Sequence, residues 1–220
     1  MFVLLNYQRE DTMIYRFYEW HLLNTLDSIP QVICFMISDT EMENDPGQIR
    51  RIISWCLDIS DKVKKKTPSG VGIREIIVHI STNDPTKKPS YIKKIYDLSD
   101  IVQVHLHYAN KKEIYGKGIP IIIAIGKSGR EEIADAIQAM VDNDVSPDEV
   151  TTEILEKYLT FSQAPDCVIK TGGAHLVDFL IWQSVYSELF FLDLNWEKIR
   201  KVDLLRAFRD FQSRNRRFGA

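Results

Sequence analysis

The chain has 220 residues, 45% of them apolar, with 28 basic side chains against 31 acidic ones and a net charge of −3. That length and composition suit one globular domain spanning 1–220 and exclude a disordered chain. The balance of charge excludes a dedicated DNA-binding protein, which carries a basic excess, while leaving room for a local phosphate site.

Asp11 or Thr12 is placed to cap a first helix, within an N-terminal segment 1–30, whose apolar positions Ile14, Phe17, Tyr18, Leu22 and Leu26 recur at helical spacing; Pro30 ends it. Gln31 to Ser38 reads as a buried strand. An acidic loop follows, with Asp39, Glu41, Glu43 and Asp45 and no base among them. Pro46-Gly47 then open a helix with Ile49, Ile52, Ile53 and Cys56 on one face, closed by Lys64-Lys65-Lys66 and a loop holding Pro68, Gly70 and Gly72. Ile73 to Ile80 is the next strand, Ser81 to Lys88 a polar connection, and Ser90 to Leu98 a short helix. Ile101 to Tyr108 alternates as a half-exposed strand does, and Ile119 to Ile125 is apolar enough for a central one. Ser128 and Glu131 form an S-x-x-E capping box for a helix with the stripe Ile133, Ile137, Met140, Val141. Ser146-Pro147 with Glu149 mark another helix start. Asp166 to Lys170 is a short strand, Thr171-Gly172-Gly173 its turn, His175 to Ser187 a helix and Leu189 to Leu194 a strand. The last helix runs from about Glu197, in a C-terminal segment 196–220, with Ile199, Val202, Leu205, Phe208 and Phe211 inward. Repeated strand–helix alternation implies an α/β fold with a mostly parallel sheet flanked by helices.

Cys34, Cys56 and Cys167 are an odd, widely spaced set, which points to a reducing compartment and no disulfide framework. The run Val32 to Ile37 is strand-sized, well short of the ~18–20 residues of a membrane span, and the mixed charges Arg9, Glu10 and Asp11 do not fit a signal peptide. The expectation is a cytoplasmic protein, with peripheral membrane contact left open. His105 and His107 share a strand face but lack the further Cys or His of a zinc site.

In such a sheet, ligands bind beyond the carboxyl ends of the strands. Gly126-Lys127-Ser128 is not a P-loop: the first glycine of G-x-x-x-x-G-K-[ST] falls at Ile121, inside a strand. Lys170-Thr171-Gly172-Gly173 is better placed, since paired glycines let backbone N–H groups approach an anion and Lys170 adds a charge. From Arg200 to Ala220 there are seven bases and two acids, ending in Arg214, Arg216 and Arg217, whose guanidinium forks suit diphosphate oxygens.

The stretch Pro165-Asp166-Cys167-Val168-Ile169-Lys170-Thr171-Gly172-Gly173, followed by Phe179-Leu180-Ile181-Trp182-Gln183-Ser184-Val185-Tyr186-Ser187-Glu188-Leu189-Phe190-Phe191 and closed by Leu205 to Gln212 and Arg216-Arg217-Phe218-Gly219, resembles the cis-prenyltransferases, the undecaprenyl and dehydrodolichyl diphosphate synthases. The likeness covers residues 165–219, extends more faintly through 73–83 and 123–130, and includes Ile14 to Trp20, which is similar to the first helix of archaeal and eukaryotic members. It implies a helix-flanked parallel-sheet dimer that adds isopentenyl diphosphate in cis configuration to an allylic diphosphate with magnesium. It further implies diphosphate contacts from Lys170, Thr171, Gly172, Gly173, Arg217 and Gly219, the last two reaching a dimer partner's site, and metal-side roles for Glu188 and His175.

The departures are as informative. Lys170 stands where the family has arginine, and Ala174 to Asp178 lacks its Arg-x-Ser. Ser38-Asp39-Thr40-Glu41-Met42-Glu43 stands where the family has D-G-N-x-R-W, so only Asp39 remains as a candidate catalytic aspartate. Unit charges 4 Å apart interact by about 4 kcal/mol at an effective dielectric of 20, so acids in place of bases repel a diphosphate. The S-T-E-N-W segment and the long helix after it, which help line the family's product tunnel, are reduced to Ser81-Thr82-Asn83-Asp84 and the short Ser90–Leu98 stretch. An intact tail beside an eroded first-strand motif is similar to the accessory, Nogo-B receptor-type subunits of two-component enzymes. The leading expectation is a non-catalytic subunit paired with a catalytic homologue, magnesium belonging to the complex. The alternatives are a self-sufficient divergent synthase using Asp39, Glu188 and Lys170, as a homodimer, and a non-enzymatic anion-binding module. Leu176, Phe179, Leu180 and Trp182, with the C-terminal helix, supply apolar surface for a dimer or else belong to the monomer core, and spacing does not decide between the two.

Overall fold

A computed structural model describes residues 13–68, 70–82, 84, 89–109, 111–172 and 180–214. Its seven-stranded sheet is built from β1 (Val32–Ser38), β2 (Glu75–Ser81), β3 (Gln103–Tyr108), β4 (Lys111–Tyr115), β5 (Pro120–Ile125), β6 (Cys167–Lys170) and β7 (Glu188–Phe191). The spatial order is β4-β3-β5-β2-β1-β6-β7. Every neighbouring pair is parallel except β3 and β4, a hairpin that the sequence reading did not foresee. Its strand β4 reads Lys-Lys-Glu-Ile-Tyr, too polar for a buried strand, and survives because it is an edge.

The helices are α1 (Met13–Thr25), α2 (Asp39–Asn44), α3 (Gln48–Lys66), α4 (Ile92–Tyr96), α5 (Gly129–Asp142), α6 (Thr152–Tyr158) and α7 (Lys201–Ser213). One face of the sheet carries most of the core. There Ile33, Phe35 and Ile37 of β1 and Ile76, Val78 and Ile80 of β2 pack with residues of α3, α4 and α7. Trp196, in a short 3₁₀ turn before α7, is wholly buried and meets Phe35 edge-on with ring centroids 6.2 Å apart. The opposite face has a smaller cluster that includes Cys34, Met36, Ile77, Phe161 and Leu180.

Several expectations are corrected. The acidic stretch after β1 is helical: Ser38 and Glu41 form an S-x-x-E capping box of their own, and Asp39 and Glu41 in the first turn favour the helix dipole. On α1, Ile14 and Phe17 are exposed and only Leu22 is buried. The buried stripe of α5 is Glu132, Ala136 and Met140, so Ile137 and Val141 face solvent. The packing reason is polar: Glu132 accepts the Phe161 N–H at 2.7 Å, and this bond turns the helix. The Ser146 box starts only a 3₁₀ turn, and α6 begins six residues later from Thr151. The second half of the expected 175–187 helix is a series of turns entered through Leu180 at φ +51°; residues 173–179 lie outside the described residues. Leu180 is core rather than dimer surface, and Trp182 is half-buried.

Trp196→Ala should cost ~3–5 kcal/mol, the range for deleting a buried aromatic. Urea denaturation measures it; a loss under about 1 kcal/mol would contradict the core role assigned to Trp196.

Candidate functional site

The strand order creates one crevice. β1 lies between β2 and β6, and the chain leaves β1 on the way to β2 but leaves β6 on the way to β7. A parallel sheet opens at such a switch point, beyond the carboxyl ends of its strands. Met36 stands beside Lys170 in the register and Ser38 beside Ser81, so the Asp39–Glu43 segment and the Lys170–Gly172 turn face each other here.

Glu41 occupies the crevice. Its Oε2 accepts the Ser38 N–H and the Ser38 hydroxyl, each at 2.9 Å. Its Oε1 accepts the Thr171 hydroxyl at 2.9 Å and the Trp196 N–H at 3.3 Å. Gly172 borders this carboxylate at φ +67°, and a Cβ there would stand 2.8 Å from Glu41 Oε1. Glycine therefore meets two needs at once, a left-handed backbone and room for the acid. Burial alone would raise the Glu41 pKa, but the bonds from Ser38, Thr171 and Trp196 prevail and hold it below its ordinary 4.5.

Asp39, the candidate catalytic aspartate, is also engaged. Its Oδ2 accepts the Thr82 hydroxyl at 3.2 Å and its Oδ1 accepts the Tyr91 hydroxyl. The Tyr91 side chain is buried; burial chiefly, and the Asp39 bond next, push its phenol well above the usual range. Tyr91, Ile95 and Leu98 are almost wholly buried in the main core with Met42 and Ile80. They come from the segment where the resemblance places a tunnel wall.

The Lys170 turn differs from its expected form. The Thr171 N–H donates to Met36 O at 3.4 Å and the Gly172 N–H to Leu194 O at 3.3 Å, so neither is left open to an anion. Lys170 is buried and its ammonium folds back onto the Thr171 carbonyl. Glu188 lies at the other end of β6 and β7, opposite Cys167, whereas Lys170 stands opposite Phe191. Three strand residues separate those ends, roughly 10 Å. Arg214 holds Glu188 at 2.9 Å and Asp210 at 2.8 Å, and its guanidinium lies 4.3 Å from the Phe190 ring centre. Gly173, His175, Arg217 and Gly219 lie outside the described residues.

Among the described residues, no three His, Cys, Asp or Glu side chains converge as a metal site. Both Asp39 oxygens and both Glu41 oxygens already accept hydrogen bonds, and Glu188 is paired with Arg214. The described acids do not by themselves fit a magnesium ion. His105 and His107 do not converge either: His105 bonds Gln103 at 3.1 Å, and the His107 ring lies 5.1 Å from that of Phe161. All three cysteines are buried and free. No helix among the described residues is long and apolar enough to cross a membrane. The sequence reading missed Glu41 as a ligand of Thr171 and Trp196. The Ser38-x-x-Glu41 spacing announced half of that contact, and nothing local announced Trp196.

Comparison with known proteins agrees with this fold. The family profile for undecaprenyl diphosphate synthase (Prenyltransf) matches residues 78–219. An isoprenyl transferase of Thermus thermophilus is 42% identical, the match covering 76% of this chain and 75% of that protein. A tritrans,polycis-undecaprenyl-diphosphate synthase of Methanocaldococcus jannaschii is 27% identical over 78% of this chain and 71% of its own length. Isoprenyl transferase 1 of Corynebacterium glutamicum is 38% identical over 56% and 59%. Two crystal structures share the fold. One is a probable undecaprenyl diphosphate synthase of Campylobacter jejuni, with TM-score 0.65, 16% identity and 88% of this chain covered against 100% of its own. The other is lavandulyl diphosphate synthase of Lavandula x intermedia in complex with dimethylallyl diphosphate, with TM-score 0.64, 19% identity and coverage of 87% and 99%. The chain belongs to the undecaprenyl diphosphate synthase family of cis-prenyltransferases.

The lowered Glu41 pKa ties stability to its ionised form. That contribution is complete above the ordinary, unfolded carboxyl pKa and disappears as pH falls through the lower folded value. Glu41→Gln should therefore melt below the wild type at about pH 7, and the gap should close towards about pH 3. A gap that stays constant across that range in thermal melts would contradict the assignment.

Proposed function

We propose that the chain serves cis-prenyl transfer, the joining of isopentenyl diphosphate to an allylic diphosphate, as one subunit of a pair. In this reading a catalytic homologue provides the allylic site and magnesium, and this chain provides its C-terminal tail. The observation that carries it is the filled crevice. Where an allylic diphosphate would sit, the chain holds the Glu41 carboxylate, hydrogen-bonded to Ser38, Thr171 and Trp196, and an Asp39 already bound to Tyr91 and Thr82. A second anion there meets repulsion rather than donors. Arg217 and Gly219 are the residues proposed to reach the partner's isopentenyl diphosphate, with Lys170, Thr171, Gly172 and Gly173 retained as the inherited turn. Exposed Ile181, Val185 and Tyr186 offer apolar area to a partner.

The named relatives favour the second reading over this one. They are synthases and transferases, and 42% identity to the Thermus protein over three quarters of both chains speaks for a self-sufficient homodimer. That enzyme would use Asp39, Lys170 and Glu188, and Tyr91 and Glu41 would have to swing out of the crevice first.

Incorporation of labelled isopentenyl diphosphate separates the two. The chain alone should be inactive. Co-expressed with a homologue carrying an intact D-G-N-x-R-W, it should support turnover that Arg217→Ala lowers about 100-fold, the usual effect of removing one charge-stabilising donor, and that Asp39→Ala leaves unchanged. Solo turnover abolished by Asp39→Ala would overturn the subunit reading and establish the self-sufficient one.

A further inference from the structure

Glu41 does more than cap a helix. A capping box needs only the exchange with Ser38, which Oε2 and the Glu41 N–H complete. Oε1 is left over, and it accepts two donors from segments far along the chain, the Thr171 hydroxyl and the Trp196 N–H, 130 and 155 residues away. Four donors converging on one carboxylate from three segments is an oxyanion site, and the missing Cβ of Gly172 is what gives the acid entry. Neighbouring acids make an adventitious arrangement costly: Asp39 and Glu43 lie on the same short helix, and the ammonium of Lys170, adjacent to Thr171 in the chain, is turned towards the Thr171 carbonyl.

We propose that Glu41 is a built-in anion, occupying this donor cluster so that the crevice at the ends of β1 and β6 binds no free diphosphate. The proposal rests on the reading that the crevice descends from a diphosphate site, but it makes its own claim. Exclusion is due to one side chain rather than to loss of the donors. The Thr171 hydroxyl and the Trp196 N–H remain in place and become available once the carboxylate is removed. Glu41 is then a specificity-determining residue, deciding whether the pocket is open to a diphosphate or closed.

The test titrates the full-length chain with inorganic pyrophosphate by calorimetry, without partner or prenyl substrate. The wild type should show no saturable binding in the low-millimolar range. Glu41→Ala, which removes both the plug and its charge, should bind at least about tenfold more tightly, and Glu41→Gln, neutral and free to swing out, should gain less. Adding Thr171→Val to Glu41→Ala should abolish the gain, which ties it to this cluster. Thermal melts at the titration pH establish that each variant is folded. Folded Glu41→Ala and Glu41→Gln proteins with wild-type pyrophosphate affinity would overturn the proposal. So would a Glu41→Gln protein unable to fold, because the carboxylate would then be a structural tie. Turnover with and without the partner is read separately, so failure of this proposal and failure of the subunit reading are distinguishable.

Discussion

A carboxylate between the ends of two parallel strands is the constraint on which this structure turns. Parallel strands that part at a switch point leave a crevice whose hydroxyl and backbone donors must be satisfied. Glu41 satisfies four of them, from the entrance to α2, the turn after β6 and the start of the 3₁₀ segment at Trp196. Each of those contacts is modest by itself, since a hydrogen bond to a charged group contributes on the order of 1.5–3 kcal/mol before solvent screening. Their convergence is what seats the carboxylate in the crevice, and Gly172 is the residue that makes convergence sterically possible.

The sheet divides labour between its faces. The thick layer under α3, α4 and α7 holds the main core, and the thinner one carries the polar knot of Glu132, Gln183 and the Phe161 backbone. Burial raises the Glu132 pKa even though the Phe161 N–H and the Gln183 amide pull the other way, so this acid behaves oppositely to Glu41. The buried Glu132 and the half-buried Glu41 thus shift in opposite directions: desolvation prevails at the one, the converging N–H and O–H donors at the other.

How legible this was in the sequence depended on the range of the interaction. Strands such as Val32–Ser38 and Pro120–Ile125 announce themselves by unbroken apolar runs, because both faces are covered. The Ser128–Glu131 box announces α5 but not its buried face, because the inward Glu132 bonds Phe161, 29 residues away. Hairpin β4 was invisible because an edge strand needs no apolar pattern. At the site, the residues of the Lys170 turn were recognisable, but the direction of their N–H groups was not, since Met36 and Leu194 consume them across the fold. Asp39 was named and its partners Tyr91 and Thr82 were not; nothing within 40 residues of Asp39 predicts that a tyrosine will close over it.

The burial of Tyr91, Ile95 and Leu98 has one more consequence. A protein that keeps a lipid-sized hollow beside its sheet bears the penalty of that void whenever it is unoccupied, on the order of 24 cal/mol for every Å³. Here Tyr91, Ile95 and Leu98 pack into the main core beside Met42 and Ile80. What these three side chains contribute to stability comes from contact with the domain's own residues.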